Sequence, residues 1–255
     1  MIWEFWQYIT TSASKEVKQM GYLHESIAMA SRSQRCAQQW GEHYQHCQNT
    51  IIQAIDKCSD FHTAIIFGAG SLRDVPLEVL SQRFNQVLLV DLVFLKSARH
   101  KVKSFSNISL IETDVTENIE TLFKGESTLT TSQRWLDDSN VSLVVSLNLI
   151  TQLPLLPAKW LMRRYQVKEQ LIDQISKQMI QQHLDYLQAF SGVKCLIADR
   201  WDTEFDVYGK ITDEFDPWWG IDQPKTVKEW DWELVPIGEG KMNLGQKNRV
   251  GVSFL

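Results

Sequence analysis

Five short apolar runs alternate with helical patterns, and this alternation constrains the fold more than any other feature of the sequence. The runs are Thr63–Phe67, Val87–Val90, Ile108–Ile111, Val141–Leu147 and Val193–Ala198. Such short, nearly continuous runs are typical of strands that are buried on both faces of a sheet. Helical stretches at Pro76–Phe84, Leu95–Phe105 and Arg163–Phe190 separate them. Strands that alternate with helices predict a parallel sheet with helices on both faces.

The beginning of the chain shows no strand pattern. A helix is predicted over Lys15–Met29, and a stronger apolar stripe with spacings of three and four runs from Cys36 to Cys58. We therefore expect residues 1–61 to form a helical segment that packs on a sheet domain of residues 62–255, over its ligand-binding cleft.

The end of the chain predicts two antiparallel strands. Trp230–Val235 alternates between apolar and polar residues, Pro236–Gln246 contains three glycines, and Arg249–Phe254 is rich in β-forming residues. Two strands joined by a glycine-bearing loop indicate a hairpin that closes one edge of the sheet.

The composition excludes several classes of protein. Of the 255 residues, 44% are hydrophobic and 22% are charged, which excludes general disorder. The net charge is −5 and no segment concentrates Lys or Arg, so binding of nucleic acid is not expected. No apolar run approaches the roughly 20 residues that span a bilayer. The first residues lack the pattern of a secretion signal, and we therefore expect a cytoplasmic protein.

The cysteines and histidines predict no metal site. Cys36, Cys47 and Cys58 are 11 residues apart, whereas metal sites usually contain a pair within two to four residues. His43 and His46 have the spacing of a ligand pair, but no third ligand accompanies them. Buried, reduced thiols are the expected state.

A glycine-containing segment follows the first strand. Gly68 and Gly70 permit close approach of the backbone to a ligand. Asp74, shortly before Pro76, predicts the cap of the next helix. Asp91 ends the second strand 23 residues after Gly68, where an acidic side chain can bind the hydroxyls of a ribose.

The same segment argues against a pyrophosphate. Arg73 occupies the position of the third glycine in a dinucleotide-binding fingerprint. Asp114, after the third strand, places a second acid at the same edge of the sheet. The pattern favours a nucleoside that carries a positive charge.

In their order along the chain, Gly68-Ala69-Gly70, Asp91, Asp114 and Ser146-Leu147-Asn148-Leu149 resemble the class I S-adenosylmethionine-dependent methyltransferases. The resemblance covers roughly Thr63–Leu255 and implies a Rossmann-like three-layer α/β sandwich, mostly parallel, that ends in an antiparallel hairpin.

The resemblance also implies which residues bind S-adenosylmethionine. The glycine loop with Ala69 receives the methionine part, Asp91 binds the ribose and Asp114 contacts the adenine. Leu92 and Val115, which directly follow these two acids, are also expected to bind the cofactor. Ser146, Leu147 and Asn148 line the sulfonium end.

Two departures from the family pattern bear on this resemblance. Many members have an acidic residue just before the glycines, where this chain has Ile66 and Phe67. Asn148-Leu149-Ile150 also lacks the proline and aromatic residue that amino-methylating members often have there.

Three residues are candidates for catalysis. Asp199, after the fifth strand, is predicted either to act as a base or hold a substrate amine, or to pair with Arg200 or form a cap. His43 is either a base or a surface or capping residue of its helix. Tyr208 lies with Trp218 and Trp219 in a region predicted to cover the substrate or to form part of the core.

The function predicted from these residues is methyl transfer to a small molecule or a protein side chain by in-line displacement. Two alternatives stay open: an NAD(P)-dependent oxidoreductase, and a non-catalytic nucleoside-binding protein with a methyltransferase fold. The acceptor, the methylated atom and the oligomeric state are not determined by the sequence.

Overall fold

The computed structural model describes residues 2–240 and 243–255, and it begins with four helices. These are α1 (Ile2–Thr10), α2 (Lys15–Gln19), α3 (Tyr22–Arg35) and α4 (Ala37–Ile55). The helix predicted over Lys15–Met29 is interrupted because Gly21 adopts a left-handed conformation (φ 98°) between α2 and α3. The predicted stripe from Cys36 corresponds to α4, although Cys58 lies beyond its end.

Eight strands form one mixed sheet. They are β1 (Thr63–Phe67), β2 (Gln86–Asp91), β3 (Ile108–Glu112), β4 (Val141–Leu147), β5 (Val193–Phe205), β6 (Ile211–Phe215), β7 (Lys228–Val235) and β8 (Gly245–Phe254). The order is β3-β2-β1-β4-β5-β8-β7, and β6 pairs with the outer part of β5. The first five strands are parallel, whereas β8 is antiparallel to both β5 and β7. The predicted Rossmann-like fold with a terminal antiparallel hairpin is therefore confirmed.

Five further helices connect the parallel strands. They are α5 (Leu77–Arg83), α6 (Lys96–Lys101), α7 (Ile119–Phe123), α8 (Leu155–Tyr165) and α9 (Glu169–Ala189). The single helix predicted over Arg163–Phe190 is wrong, because Gln166 takes a left-handed conformation (φ 54°) that ends α8. No helix in the described part of the chain is both long and apolar enough to cross a membrane.

The sheet extends further than predicted on one side. The fifth strand was expected to end at Ala198, but β5 continues to Phe205 and turns back through β6. All five residues of β6 are exposed, and the outer part of β5 is exposed or half-buried. This hairpin therefore carries no continuous apolar run.

Two apolar cores lie on opposite faces of the sheet because successive strand residues point to opposite sides. Trp40 and Ile51 of α4 pack on the face that contains Ile66 of β1. Ile180 of α9 packs on the other face, which contains Phe67. The N-terminal segment is thus part of the sheet core, and all four cysteines are free, with Cys58 the one that is not fully buried.

Candidate functional site

The loop after β1 approaches neighbouring backbone closely. Gly68 (φ 78°) lies so near the end of β4 that an added Cβ would be 2.4 Å from the carbonyl oxygen of Leu147. Gly70 also has a positive φ (39°), and the buried side chain of Ala69 contributes to the core beneath. The glycines are therefore required by the geometry of this loop.

Lys101 of α6 supports the same loop, although no local pattern in the sequence indicates this role. Its ammonium group donates to the carbonyl oxygens of Ser71 (3.1 Å) and Leu72 (3.2 Å). Burial lowers the pKa of Lys101, since its charge is partly desolvated there.

Asp91 joins the end of β2 to the glycine loop. Its Oδ2 accepts a hydrogen bond from Gly70 N (2.9 Å), and Oδ1 accepts from Leu92 N (2.7 Å) and Val93 N (3.4 Å). Burial raises the pKa of Asp91 to about 6, although these three N–H groups oppose the shift. A carboxylate has about four acceptor sites, so one stays available for a ligand.

Asp114 has a different environment. Its two oxygens accept hydrogen bonds from Thr116 N, Thr116 Oγ1, Asn118 N and Ile119 N at 2.8–3.0 Å. Four donors saturate a carboxylate. Asp114 therefore organises the turn that leads into α7, and this geometry does not support the predicted contact with adenine.

The residues at the end of β4 do not share one environment. The side chain of Ser146 is fully buried on the α9 face, with its Oγ 2.9 Å from His183 Nε2, and Leu147 is buried in the α4 core. Because both side chains are buried in the cores, their positions do not support the expectation that they line the sulfonium end of the cofactor. Asn148 is half-buried and has a positive φ (49°).

Asp74 is part of this site and is not the predicted helix cap. Helix α5 begins at Leu77, with Pro76 at its N-cap position and no side-chain capping bond. The carboxylate of Asp74 instead accepts a hydrogen bond from Asn148 Nδ2 (3.3 Å). Burial raises its pKa to about 6.

Helix α4 brings His43 and Cys47 to the same place. His43 Nε2 lies 3.2 Å from Asn148 Nδ2 and 3.6 Å from Cys47 Sγ. His43 is buried, not a surface residue, and burial lowers its pKa to about 3, so the ring is neutral. Burial also raises the pKa of Cys47 well above its ordinary value, which keeps the thiol protonated.

His43, Cys47 and Asp74 offer donor atoms within 4.8 Å of one another, as a metal site would. However, Trp230 Nε1 donates a hydrogen bond of 3.1 Å to His43 Nδ1. An indole nitrogen can only donate, so Nδ1 accepts this bond and we assign the proton of the neutral imidazole to Nε2. The amide nitrogen of Asn148, also a donor, lies 3.2 Å from Nε2 and opposes this assignment. With the proton on Nε2, His43 has no lone pair there for a metal.

The other catalytic candidates occupy contrasting positions. Asp199 is 5% exposed on the α4 face, whereas Tyr208 is 92% exposed at the tip of the β5–β6 hairpin. The guanidinium of Arg200 donates to Ser253 Oγ (2.9 Å) and stacks on Trp218 at the opposite face. Among the described residues it forms no ion pair with Asp199, so the predicted alternative of an Asp199–Arg200 pair is wrong.

A small cavity of about 10 Å³, roughly the size of one water molecule, lies on the α9 face. Val115 lines it, together with Thr116, Ser132 and His183. Leu92, by contrast, packs with Leu23 of α3 in a separate apolar cluster over the ends of the strands. Val115 thus borders this small cavity, and Leu92 packs under the helices that cover the ends of the strands.

Comparisons with known proteins give distant structural similarities. No protein-family model and no curated protein matches the sequence. The chain is similar to the N-methyltransferase NodS of Bradyrhizobium japonicum WM9 in complex with S-adenosyl-l-homocysteine, at 10% identity and a TM-score of 0.34 over 81% of this chain and 85% of that one. It is also similar to the DhpI-SAM-HEP complex, at 10% identity and a TM-score of 0.38 over 94% and 83%.

A third similar structure is the 1,6-didemethyltoxoflavin-N1-methyltransferase of Burkholderia thailandensis with S-adenosylhomocysteine. It has 11% identity and a TM-score of 0.35, over 90% of this chain and 89% of that one.

Proposed function

We propose that this protein is an S-adenosylmethionine-dependent methyltransferase that acts on a small molecule or a protein side chain. The observation that supports this most directly is the hydrogen bond between Asp91 and Gly70 N, at the carboxyl edge of β2 and β1. Open α/β sheets bind ligands at this edge, next to the point where the strand order reverses. Here β1 is that point, since β2 and β4 lie on either side of it.

The residues at this edge fit the cofactor. Asp91 retains an acceptor site for a ribose hydroxyl, and Gly68 and Gly70 let the loop backbone approach the methionine part. Asp74 and Asn148 lie on the β4 side of the loop, where a carboxylate favours a positive sulfur. Asp114 is saturated by its own turn, so we assign it no contact with the adenine.

The bound cofactor would supply a methyl group that its positive sulfur already activates. The chain then has to align the acceptor and exclude water. Helices α2 and α3 pack Val17, Leu23 and Ile27 against Val93 and Leu95, just after β2, and so cover the cofactor edge.

Calorimetric titration of the full chain tests the proposal. We expect S-adenosylmethionine and S-adenosylhomocysteine to bind and NAD⁺ not to bind, since Arg73 stands where a pyrophosphate loop has glycine. Incubation with methyl-labelled S-adenosylmethionine and either a small-molecule or a protein fraction then shows the acceptor class. Binding of NAD⁺ alone, or of none of the three, would overturn the proposal.

A further inference from the structure

Four polar atoms in one region are buried without a hydrogen bond of good geometry, although the side chains of Thr151 and Asn248 lie close enough to Asp199 to lower its pKa. They are Asp199 Oδ1, Asp202 Oδ1, Thr151 Oγ1 and Trp232 Nε1. Thr151 is 3% exposed, and Asp199 and Trp232 are each 5% exposed. Most buried polar groups in folded proteins have partners, so a group of orphaned donors and acceptors calls for an explanation. A polar ligand that binds there supplies one.

The strand register places three of these groups, those of Asp199, Asp202 and Trp232, on one face of the sheet. Across β5, β8 and β7, Asp199 pairs with Val250, and Val250 pairs with Trp230. In the same way, Asp202 pairs with Asn248, and Asn248 pairs with Trp232. Directly opposed residues of antiparallel strands point to the same face. An irregularity between Asp199 and Trp201 shifts the register by one residue, so both carboxylates face the side covered by α4.

The two carboxylates lack a counter-ion. No ion pair of the described residues includes Asp199 or Asp202, and Arg200 points to the opposite face. Burial raises the pKa of Asp199 to about 6, with Asn248, Arg200 and Thr151 opposing the shift. Burial and then repulsion from Asp199 raise the pKa of Asp202 to about 7. In both acids burial, which penalises the charged carboxylate, is the leading cause, and a cation bound beside them would offset that penalty.

The neighbouring aromatic wall is uncharged. The ring of Trp232 stacks on His43 with the centroids 3.8 Å apart and the planes at 9°. His43 is neutral, and Trp230 contacts it through a hydrogen bond from its indole nitrogen. This wall therefore carries no positive charge that would repel a cation bound at the two acids.

We propose that Asp199 and Asp202 bind the protonated amino group of the methyl acceptor, a small organic amine that also carries an uncharged oxygen. The hydroxyl of Thr151 is a further acceptor for the ammonium. The orphaned N–H of Trp232 requires an acceptor in return, which a hydroxyl or carbonyl oxygen supplies. A carboxylate in the ligand would be repelled by the two acids.

The identity of the amine as methyl acceptor rests on the proposed function, but its binding does not. The proposed amine-binding residues lie on β5, on β7 and at Thr151. None of them belongs to Asn148-Leu149-Ile150, the segment in which the family pattern for amino methylation is missing.

The test is a calorimetric titration of the full chain without cofactor, with tryptophan fluorescence as a second signal. The probes are glucosamine and ethanolamine, and glucose and ethylene glycol are their neutral controls. We expect at least one amine to bind at least tenfold more tightly than its neutral control. An Asp199→Asn, Asp202→Asn variant should lose at least tenfold in affinity for that amine.

The matched control is a Glu204→Gln, Asp213→Asn variant, which removes two charges from the β5–β6 hairpin and should bind the amine as the unaltered chain does. Thermal unfolding verifies that each variant is folded. The inference is overturned if neither amine binds, if an amine and its neutral control bind alike, or if both double variants behave alike. Amine binding without binding of S-adenosylmethionine would keep this site and reject the methyltransferase proposal.

Discussion

The carboxylate of Asp91 accepts a 2.9 Å hydrogen bond from the backbone N–H of Gly70, so the end of β2 holds the loop that follows β1. The acid proposed to bind the ribose thus also fixes the backbone proposed to contact the methionine part. These two roles cannot be separated by removing the side chain, but they respond differently to replacement by asparagine.

Replacement of Asp91 tests both roles. Asp91→Ala should weaken binding of S-adenosylhomocysteine by about 1–3 kcal/mol, the scale for hydrogen bonds to a charged group. Asp91→Asn should lose less, because its amide oxygen can still accept from Gly70 N. Calorimetry measures both affinities, with Glu78→Gln on the surface of α5 as the control. Unchanged affinity in a folded Asp91→Ala protein would refute the ribose assignment.

Gly68 is expected to be intolerant of any side chain. In Gly68→Ala the new Cβ would meet the Leu147 carbonyl oxygen at 2.4 Å, in addition to the strain of a positive φ. We expect the free energy of unfolding to fall by about 3–4 kcal/mol in denaturant titrations.

Gly209 provides a matched control for this substitution. It has the same φ of 78° but open space around its Cα, so Gly209→Ala should cost only the conformational part, about 1–2 kcal/mol. Equal losses in the two variants would show that the contact with β4 does not constrain Gly68.

The sequence predicts the central strands well and the outer hairpin poorly. The bounds of β1 and β4 are those of the predicted runs, because every residue of both strands is buried. The exposed β6 offers no such run. The visibility of a strand in the sequence therefore depends on how completely the fold buries it.

The residues of the candidate site also differ in how far a local sequence pattern predicts them. Gly68 and Asp91 were found because a strand–loop–helix unit fixes their spacing along the chain. The contact between His43 and Trp230 spans 187 residues, and it depends on how α4 crosses β7. No local pattern encodes that crossing, so neither this contact nor the position of Asp74 was predictable.

The contact between Trp230 and His43 predicts one tautomer. Long-range ¹H–¹⁵N NMR spectra should show His43 protonated on Nε2 and unprotonated on Nδ1 near neutral pH, since Nδ1 accepts from the indole. Addition of zinc should leave the melting temperature unchanged. A proton on Nδ1, or stabilisation by zinc, would contradict the assignment.

Trp230→Phe is the companion variant for this prediction. It removes the only hydrogen-bonding group of the indole, so a buried acceptor on His43 loses its donor. We expect a loss of about 1–3 kcal/mol in the free energy of unfolding, together with a mixture of both His43 tautomers. If the spectrum of His43 is the same in this variant, the indole does not set the tautomer.

Asp199 should destabilise the fold at neutral pH. Its pKa is raised from 3.8 to about 6 on folding, so the folded state holds the proton more tightly than the unfolded state does. Below pH 3.8 both states are protonated and the penalty is absent; it grows as the pH rises and is complete above about pH 6. Two pKa units correspond to roughly 3 kcal/mol.

Asp199→Asn should therefore raise the free energy of unfolding by about 2–3 kcal/mol at pH 7 and by little near pH 4. Denaturant titrations across this range measure the difference, and Asp213→Asn, at an exposed position of β6, should show no such trend. A gain in the free energy of unfolding that is equal at both pH values would mean that burial does not destabilise the charged carboxylate of Asp199. In that case the buried acids would lack the electrostatic preference on which the amine site depends.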